Sequence, residues 1–320
     1  MKPQAVFLDA ATLGDDLSLE PLSAAAAISI YPVTGEQEVE ERCRGAAVVI
    51  TNKVVFTRER LQALQEHLRL ICLTATGFNN VDVTAARELG ITVCNVKGYS
   101  TDSVAQHTLA ISLSLLQQIR YYADFVHDGR YAHAPVFTHF GRPWYEVTGK
   151  TWGIIGMGAI GRRTAGIVQS LGCEVIYYSS SGKDRDTRYA RAELDELLAK
   201  SHIISIHAPL NNRTKGLIGK RELALMNPDA ILVNVGRGGI VDEQDLAEAL
   251  MHGRIRGAAI DVFVNEPIEQ NSALLGVPHD RLLMTPHIAW GSIEARQRVV
   301  EGVVHNIQQF MLGTPTNVVG

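Results

Sequence analysis

Short apolar segments alternate with amphipathic helical segments along almost the whole chain. In the first hundred residues four such segments predict β-strands, at residues 5–9, 47–51, 68–74 and 91–96. Between the last two, NNVDVTAARELG has apolar residues at helical spacing and ends at Gly90, a residue that favours a helix terminus. Strands separated by helices of this length form a parallel sheet covered by helices. The pattern therefore predicts an α/β lobe.

A second alternating series predicts six more strands, at residues 151–156, 174–179, 202–209, 230–236, 257–263 and 281–287. Six strands alternating with helices make up the full complement of a doubly wound, dinucleotide-binding domain. The amphipathic segment after Trp290 has no strand to follow it, so we expect it to pack on the first lobe. The sequence thus predicts an α/β protein of two Rossmann-like lobes, the first of them discontinuous.

The segment between the two series does not alternate between strands and helices. Residues 101–126 have a long helical pattern that opens with Thr101 and Asp102, both good N-cap residues. The apolar face of this predicted helix is wide, which is typical of a connector between domains or of an oligomer contact. Residues 127–148 are aromatic and irregular, and they predict an arm or a loop.

The composition excludes several classes of protein. Hydrophobic residues at 46 % and charged residues at 20 % argue against overall disorder, and a net charge of −4 gives no general basic excess for nucleic acid or an anionic membrane. No apolar run approaches the roughly 18 residues that cross a bilayer, and MKPQAVFLDA has no signal-peptide pattern. The four cysteines are dispersed and form no C-x-x-C pair, as reduced core thiols do. We expect a cytoplasmic protein.

Three glycines give the strongest binding signal. Gly156, Gly158 and Gly161 form G-x-G-x-x-G directly after the predicted strand TWGIIG and before a helical run. In such a turn the first glycine allows the tight bend, the second allows a pyrophosphate to approach, and the third allows close helix–strand packing. A purely structural turn can also use three glycines, but the strand–turn–helix context favours a dinucleotide site.

The residues that should contact the adenosine ribose leave the choice of dinucleotide open. A carboxylate usually follows about 20 positions after the glycine turn, at the end of the second strand. Here that strand ends with Tyr178 and the serines 179–181, and no carboxylate occupies the position. Lys183 and Arg185 are near enough in sequence to reach a 2′-phosphate, unless they only belong to a solvated loop. NAD and NADP are both possible cofactors.

Three polar side chains follow later strands of the second series. Arg237 follows AILVNVG, Glu266 lies in DVFVNEP, and His287 lies in TPHIAW. The carboxyl ends of parallel strands meet at one edge of the sheet, where ligands bind. Each residue alone would more often be a solvated or core group. Together they predict hydride reduction of a 2-oxo acid, which needs a cation for the carboxylate, a proton donor and a carboxylate to orient it.

On these residues the chain resembles the D-isomer-specific 2-hydroxyacid dehydrogenases. The resemblance covers essentially the whole sequence through seven segments in order: TATGFNNVD, SVAQHT, GKTWGIIGMGAIG, SIHAPLNNRTKGLI, NVGRGGIVDE, DVFVNEP and TPHIAW. It implies that Arg237, Glu266 and His287 are the catalytic residues. It also implies a flavodoxin-like, discontinuous substrate-binding domain of residues 1–99 and 291–320, an NAD(P)-binding Rossmann domain of residues 100–290, and a homodimer.

The same resemblance implies the ligand contacts. The implied substrate contacts are Ala75, Thr76, Gly77 and Arg237, and we expect Asn52 and Trp290 to line the cleft that selects the substrate. The expected cofactor contacts are Val104, Gly156, Met157, Gly158, Ala159, Ile160, Gly161, Ser179, Ser180, His207, Ala208, Pro209, Thr214, Val235, Gly236, Asp261, His287 and Ala289. NAD or NADP is the expected cofactor, and no metal is expected.

Two departures from the family pattern concern Gln106, where many members have Glu, and Ser179, where NAD-preferring members usually have Asp. The run HIAW with Trp290 looks most like the glycerate dehydrogenase and hydroxypyruvate reductase branch. We therefore expect reduction of hydroxypyruvate or glyoxylate to the D-2-hydroxy acid, with His287 as the proton donor. D-lactate or phosphoglycerate dehydrogenase activity, and a dinucleotide-sensing, corepressor-like binding protein, are the alternatives. Neither nucleic acid nor a membrane is an expected partner.

Overall fold

The computed structural model describes residues 2–182 and 186–320 of the chain. Its internal contacts divide the chain into two compact units. Unit 1 consists of residues 1–100 and 291–320, and unit 2 consists of residues 101–290. Lys183 and Arg185, considered above as contacts for a 2′-phosphate, lie outside the described residues.

Unit 1 is built on five parallel strands: β1 (Gln4–Phe7), β2 (Ala27–Ile30), β3 (Val48–Thr51), β4 (Leu70–Leu73) and β5 (Thr92–Cys94). Their order is β2-β1-β3-β4-β5, which is the flavodoxin-like order. The central strands β3 and β4 are fully buried and almost entirely apolar, as strands covered on both faces are. Four strands match the predicted ones. Strand β2 was not predicted, because this edge strand is mostly exposed and lacks the buried apolar pattern of the others.

The first hundred residues supply four helices to this unit: α1 (Glu20–Ala25), α2 (Val39–Arg42), α3 (Arg58–Leu64) and α4 (Val83–Glu88). The last two begin at side-chain caps. The Thr57 hydroxyl accepts a hydrogen bond from the N–H of Arg60, and the Asp82 carboxylate accepts one from the N–H of Ala85. These caps satisfy N–H groups that the first helical turn leaves without a partner.

Unit 2 is built on seven parallel strands: β6 (Thr151–Ile155), β7 (Glu174–Tyr178), β8 (Ala190–Arg191), β9 (Ile203–Ile206), β10 (Ile231–Asn234), β11 (Gly257–Ile260) and β12 (Leu282–Met284). Their order is β12-β11-β10-β9-β6-β7-β8. The chain winds outward in both directions from the β6–β9 pair, so the sheet is doubly wound and its switch point lies beside the glycine turn. Six strands match the predictions, and the exposed two-residue strand β8 adds an edge.

The helices of unit 2 are α5 (Thr101–Leu116), α6 (Ile119–His127), α7 (Ala159–Ser170), α8 (Leu194–Lys200), α9 (Lys220–Leu225) and α10 (Glu243–Met251). The prediction of one helix over residues 101–126 is wrong. Gln118 separates α5 from α6 in a left-handed conformation, with φ of 54°. Its side-chain amide donates to the carbonyl of Leu115 at 3.0 Å, which satisfies a carbonyl that the helix end leaves free. Between α6 and β6 the chain is irregular, apart from a 3-10 turn at Arg130–His133.

The last helix, α11 (Ile293–Met311), belongs to unit 1, as the amphipathic pattern predicts. It begins at Ser292, whose hydroxyl accepts a hydrogen bond from the N–H of Ala295 at 3.2 Å. The helix packs against α1 and β4, and its buried Asn306 donates to the carbonyl of Asn95 at 2.9 Å. None of the helices in the described ranges combines the length and apolarity that a membrane-spanning helix needs.

Candidate active site

The glycine turn joins β6 to α7 and packs directly on the segment after β9. Gly156 has φ of +96°, and a Cβ on it would lie 2.8 Å from the backbone nitrogen of Ala208. A Cβ on Gly161 would overlap the carbonyl oxygen of Gly156. A Cβ on Gly158 would meet no atom within 4 Å. Packing therefore requires glycine at 156 and 161, whereas the backbone at 158 faces open space that a ligand can approach.

Gly158 is also the N-cap residue of α7, and it supplies no side-chain hydrogen bond to the first turn. The first N–H groups of a helix need partners, and the helix dipole makes an anion a favourable one. Gly158 and Ala159 are exposed, while Met157 is buried beneath them. This open, uncapped helix start fits the pyrophosphate of a dinucleotide.

The end of β7 presents hydroxyls and arginines. Ser179 is buried, and the guanidinium of Arg213 donates to the carbonyl of Ser181 at 3.1 Å. Asp186 is the first described carboxylate that follows these serines in the sequence, and Arg188 and Arg162 both bond to it. The Arg188 guanidinium, with Arg162, holds the pKa of Asp186 well below its usual range. Sequence patterns missed Arg213, because it lies in a loop that follows a different strand.

The segment after β9 contains four of the expected cofactor residues: His207, Ala208, Pro209 and Thr214. The His207 ring lies 3.0 Å from the hydroxyl of Ser205, which also accepts a hydrogen bond from the Trp152 indole at 2.9 Å. Burial lowers the pKa of His207 to about 3, so its imidazole is neutral at pH 7. The Thr214 hydroxyl donates to the carbonyl of Pro209 at 2.6 Å and accepts from a backbone N–H, so it fixes the shape of this loop.

Arg237 lies on the loop after β10, which the Asn234 side chain shapes. The Asn234 amide oxygen accepts from the N–H of Gly236 at 3.1 Å, and its nitrogen donates to the carbonyl of Arg237 at 3.0 Å. A Cβ on Gly238 would overlap the carbonyl oxygen of Phe263, so this loop lies directly against the chain that follows β11. The Arg237 side chain is exposed, and Nη1 donates to the carbonyl of Gly236 at 2.8 Å. Its remaining guanidinium donors can bind an anion.

Glu266 and His287 form a hydrogen-bonded pair. His287 Nδ1 lies 2.7 Å from Glu266 Oε2, while Glu266 Oε1 accepts from the N–H of Phe263 at 3.1 Å. The His287 side chain is 24 % exposed and the Glu266 side chain is 29 % exposed, so the pair is partly accessible to a ligand. Because Nδ1 faces the carboxylate, Nε2 is the ring nitrogen left to exchange a proton with a ligand.

A buried aspartate holds the turn that carries His287. Asp261 directly follows β11, and its carboxylate accepts hydrogen bonds from the Thr285 hydroxyl at 2.6 Å and from the N–H groups of Ile288 and Ala289 at 2.9 Å each. Its carbonyl accepts from the N–H of His287 at 2.8 Å. These bonds support a left-handed backbone at His287, with φ of 53°, which is uncommon for a residue other than glycine.

Four of the remaining expected cofactor residues meet in one hydrophobic cluster. Its buried members include Val104, Met157, Val235 and Ala289, and Trp290 packs against it. The start of α5 is joined to this region because the Ser103 hydroxyl donates to the carbonyl of Ala289 at 2.7 Å. Residues that are distant in the sequence therefore lie together on one face of the unit 2 sheet.

The expected substrate residues of unit 1 lie at the carboxyl ends of β3 and β4. The buried Asp9 carboxylate accepts from the N–H of Asn52 at 2.9 Å and from that of Lys53 at 2.7 Å. The Thr76 hydroxyl donates to the carbonyl of Val96 at 2.9 Å. Within the described ranges, the N–H groups of Thr76 and Gly77 donate to no other residue. This loop can therefore offer backbone donors to an anion.

These features define an NAD-binding α/β oxidoreductase. The family model of the D-isomer specific 2-hydroxyacid dehydrogenase NAD binding domain matches residues 109–289. The chain belongs to this family and is a 2-hydroxyacid dehydrogenase. The resemblance inferred from the seven sequence segments is thus confirmed, and so are the two α/β lobes.

Several relatives match almost the entire chain. It is 36 % identical to a hydroxypyruvate reductase of Blautia hydrogenotrophica, over 95 % of both chains. It is also 36 % identical to a glycerate dehydrogenase of Methylorubrum extorquens, over 100 % of this chain and 99 % of the relative. Among solved structures, the acyclic imino acid reductase Bsp5 in complex with NADPH and D-Arg superposes with a TM-score of 0.88 at 26 % identity, covering 99 % of this chain and 100 % of that one.

Proposed function

We propose that this dehydrogenase reduces a small 2-oxo acid of the hydroxypyruvate or glyoxylate type to the D-2-hydroxy acid, with NAD(P)H as the reductant. The names of its relatives, hydroxypyruvate reductase and glycerate dehydrogenase, support this substrate class. The observation that carries the proposal is the His287–Glu266 pair at 2.7 Å, because a histidine oriented by a carboxylate can protonate a carbonyl oxygen as hydride arrives.

Each catalytic side chain has one task in this reaction. The bound dinucleotide supplies the hydride, and the turn at Gly156–Gly161 would hold its pyrophosphate. His287 Nε2 gives a proton to the carbonyl oxygen of the substrate. Glu266 orients the imidazole through its hydrogen bond with Nδ1. The exposed fork of Arg237 receives the substrate carboxylate and polarises the carbonyl group.

We propose that unit 2 is the NAD(P)-binding domain and that unit 1 is the substrate-binding domain. The N–H groups at Ala75–Gly77 would receive the carboxylate of the substrate, as oriented backbone donors do. Asn52 and Trp290 would contribute to the choice between oxo acids. The tie between Asp9 and the Asn52 backbone supports this role, since it holds the loop in one conformation.

We propose that NADPH is accepted at least as well as NADH. The buried Ser179 stands where a ribose-binding carboxylate would repel a 2′-phosphate. Asp186 is bonded by two arginines, so it offers no free carboxylate in its place. Arg213, which lies against Ser181, supplies a cation beside the serines. The structural similarity to an NADPH-bound reductase is consistent with this preference.

We propose that the enzyme is a homodimer that works in the cytoplasm. Phe137 and Phe140, three positions apart in the sequence, are 89 % and 86 % exposed, and large exposed apolar side chains mark an interaction surface. The same arm is held on α6, because His139 stacks on Phe125 with ring centroids 3.7 Å apart. A second copy of the chain would cover these side chains. The free, buried cysteines are consistent with a reducing compartment.

A steady-state panel tests the substrate class. Hydroxypyruvate, glyoxylate, pyruvate and 3-phosphohydroxypyruvate would each be reduced with NADH and with NADPH. We expect the highest kcat/KM with hydroxypyruvate or glyoxylate. Tight NADH binding without turnover of any of these acids would contradict the proposal and favour a dinucleotide-sensing binding protein.

A further inference from the structure

His107 donates the first hydrogen bond in a chain of three side chains. It lies on α5, and its Nε2 is 3.1 Å from the hydroxyl oxygen of Thr285. That hydroxyl is itself 2.6 Å from Oδ1 of Asp261. A hydroxyl has one proton, and the carboxylate can only accept it, so the Thr285 oxygen accepts from His107. His107 must therefore carry a hydrogen on Nε2.

The charge state of His107 agrees with this direction. Burial lowers the pKa of His107, and the nearby Asp261 carboxylate, 3.7 Å from Nε2, opposes that effect only in part. At pH 7 the ring is neutral, and the hydrogen bond selects the tautomer with its proton on Nε2. The chain thus runs from a neutral imidazole through a hydroxyl to a buried carboxylate.

This series of hydrogen bonds ends at the turn that carries His287. The Asp261 carboxylate also accepts from the N–H groups of Ile288 and Ala289, which follow His287 directly. The Thr285 hydroxyl can rotate, so a donor on its other side fixes it in the orientation that serves Asp261. Without that donor, the hydroxyl could turn away and leave the carboxylate one partner short.

We propose that His107 is a positioning residue, which fixes the Thr285 hydroxyl on Asp261 and thereby holds the turn that presents His287. Neither the family assignment nor the proposed catalytic residues give His107 any role. The effect of His107 on catalytic rate rests on the proposed function, whereas its effect on the conformation of residues 285–289 does not. A misplacement of His287 by a fraction of an ångström would slow proton transfer while ligand binding stays intact.

Hydrogen exchange in the cofactor-free, full-length protein tests the structural half. The variants are His107→Leu, which removes the donor, and His107→Gln, which can restore an N–H toward Thr285. We expect His107→Leu to speed amide exchange in the peptide spanning residues 285–290 by roughly tenfold, because the Ile288 and Ala289 amides lose protection. His107→Gln should remain close to the wild type.

Kinetics test the functional half. His107→Leu and Thr285→Val should each lower kcat by about tenfold, with KM and the Kd of NADH within about twofold of the wild type. The double variant should be no slower than the slower single one, because both changes break the same chain. Ser112→Ala serves as the matched control, because it removes a buried hydroxyl from α5 that donates to the carbonyl of Thr108.

Three results would overturn the proposal. In the first, His107→Leu keeps the amide exchange rate and the kcat of the wild type. In the second, His107→Leu and His107→Gln lose protection and kcat to the same extent. In the third, the variants change only the Kd of NADH. The last result would show that His107 contacts the cofactor instead. If the wild type reduced none of the four oxo acids, the proposed function would fail, but the exchange experiment would still decide the role of His107.

Discussion

The carbonyl oxygen of Phe263 fills the space that a side chain at Gly238 would need. This contact fits the loop after β10, which bears Arg237, against the chain after β11, which leads to Glu266. The N–H of Phe263 in turn donates to the Glu266 carboxylate. A glycine with no chemistry of its own therefore fixes the distance between the Arg237 cation and the carboxylate that is hydrogen-bonded to His287.

Replacing this glycine should damage the site more than the fold. In Gly238→Ala one of the two loops must move, and a displacement of about 1 Å can lower kcat/KM roughly 10²-fold. We expect the free energy of unfolding to fall by only about 1–3 kcal/mol, as for overpacked sites. Enzyme assays and urea unfolding measure both. Gly276→Ala is the control, because a Cβ there meets no atom within 4 Å and should change neither quantity.

Loss of the proposed proton donor, His287, should lower turnover sharply while dinucleotide binding survives. His287→Asn removes the imidazole but keeps a residue that tolerates the left-handed backbone. We expect kcat for oxo acid reduction to fall by roughly 10²–10⁴-fold, with the Kd of NADH changed little. A loss of less than a few-fold would show that the proton comes from another group.

Arg237→Lys keeps the charge but removes the planar fork that can bond both oxygens of a carboxylate. We expect kcat/KM for the oxo acid to fall by about tenfold or more, with cofactor affinity close to that of the wild type. Fluorescence titration with NADH, alongside steady-state rates, separates the two effects. Comparable losses in both would assign Arg237 to cofactor binding or to the fold.

The choice of cofactor should respond to two positions. Ser179→Asp should shift the ratio of kcat/KM values from NADPH toward NADH, because the new carboxylate repels a 2′-phosphate. Arg213→Gln should weaken binding of 2′,5′-ADP severalfold, since an exposed cation contributes about 1 kcal/mol or less, and should leave ADP binding unchanged. Lys215→Gln removes the same charge two residues away and is the control. A wild type that prefers NADH more than about a hundredfold would contradict this view of Ser179.

His207 should make the fold sensitive to acid. Its pKa is usually near 6.5 and is lowered to about 3 by burial, so between these values the unfolded chain binds a proton that the folded chain does not. Stability is then fully present above pH 6.5 and is lost as the pH falls, by up to about 1.4 kcal/mol per pH unit from this group. His207→Gln should flatten the dependence of unfolding free energy on pH between 3 and 6.5, and an unchanged slope would refute this.

Much of the fold follows from periodicity, because buried parallel strands such as β4 and β11 are continuous apolar runs. The edge strands β2 and β8 escaped prediction, since each is short and exposed and depends on pairing with a neighbour. The break at Gln118 escaped for a related reason. The pattern around it is helical, and contacts such as that between Arg142 and the Gln118 amide arise only in the folded chain.

For the site, motif context located the glycine turn and placed Arg237, Glu266 and His287 at neighbouring strand ends. The roles of these three side chains stay predictions. Arg213 and His107 could not be inferred in the same way. Each gains its importance from a partner more than 30 positions away in the sequence, Ser181 for Arg213 and Thr285 for His107, and no local pattern records such a pairing.

The return of α11 to unit 1 also orders events during protein synthesis. All strands of unit 2 have been made before residue 291 appears, so this unit can fold while the ribosome still holds the rest. Unit 1 begins first but is completed last, because α11 must cover α1 and β4. Until then the nascent chain exposes an apolar face that can aggregate. We expect chaperones to protect the chain most during this interval.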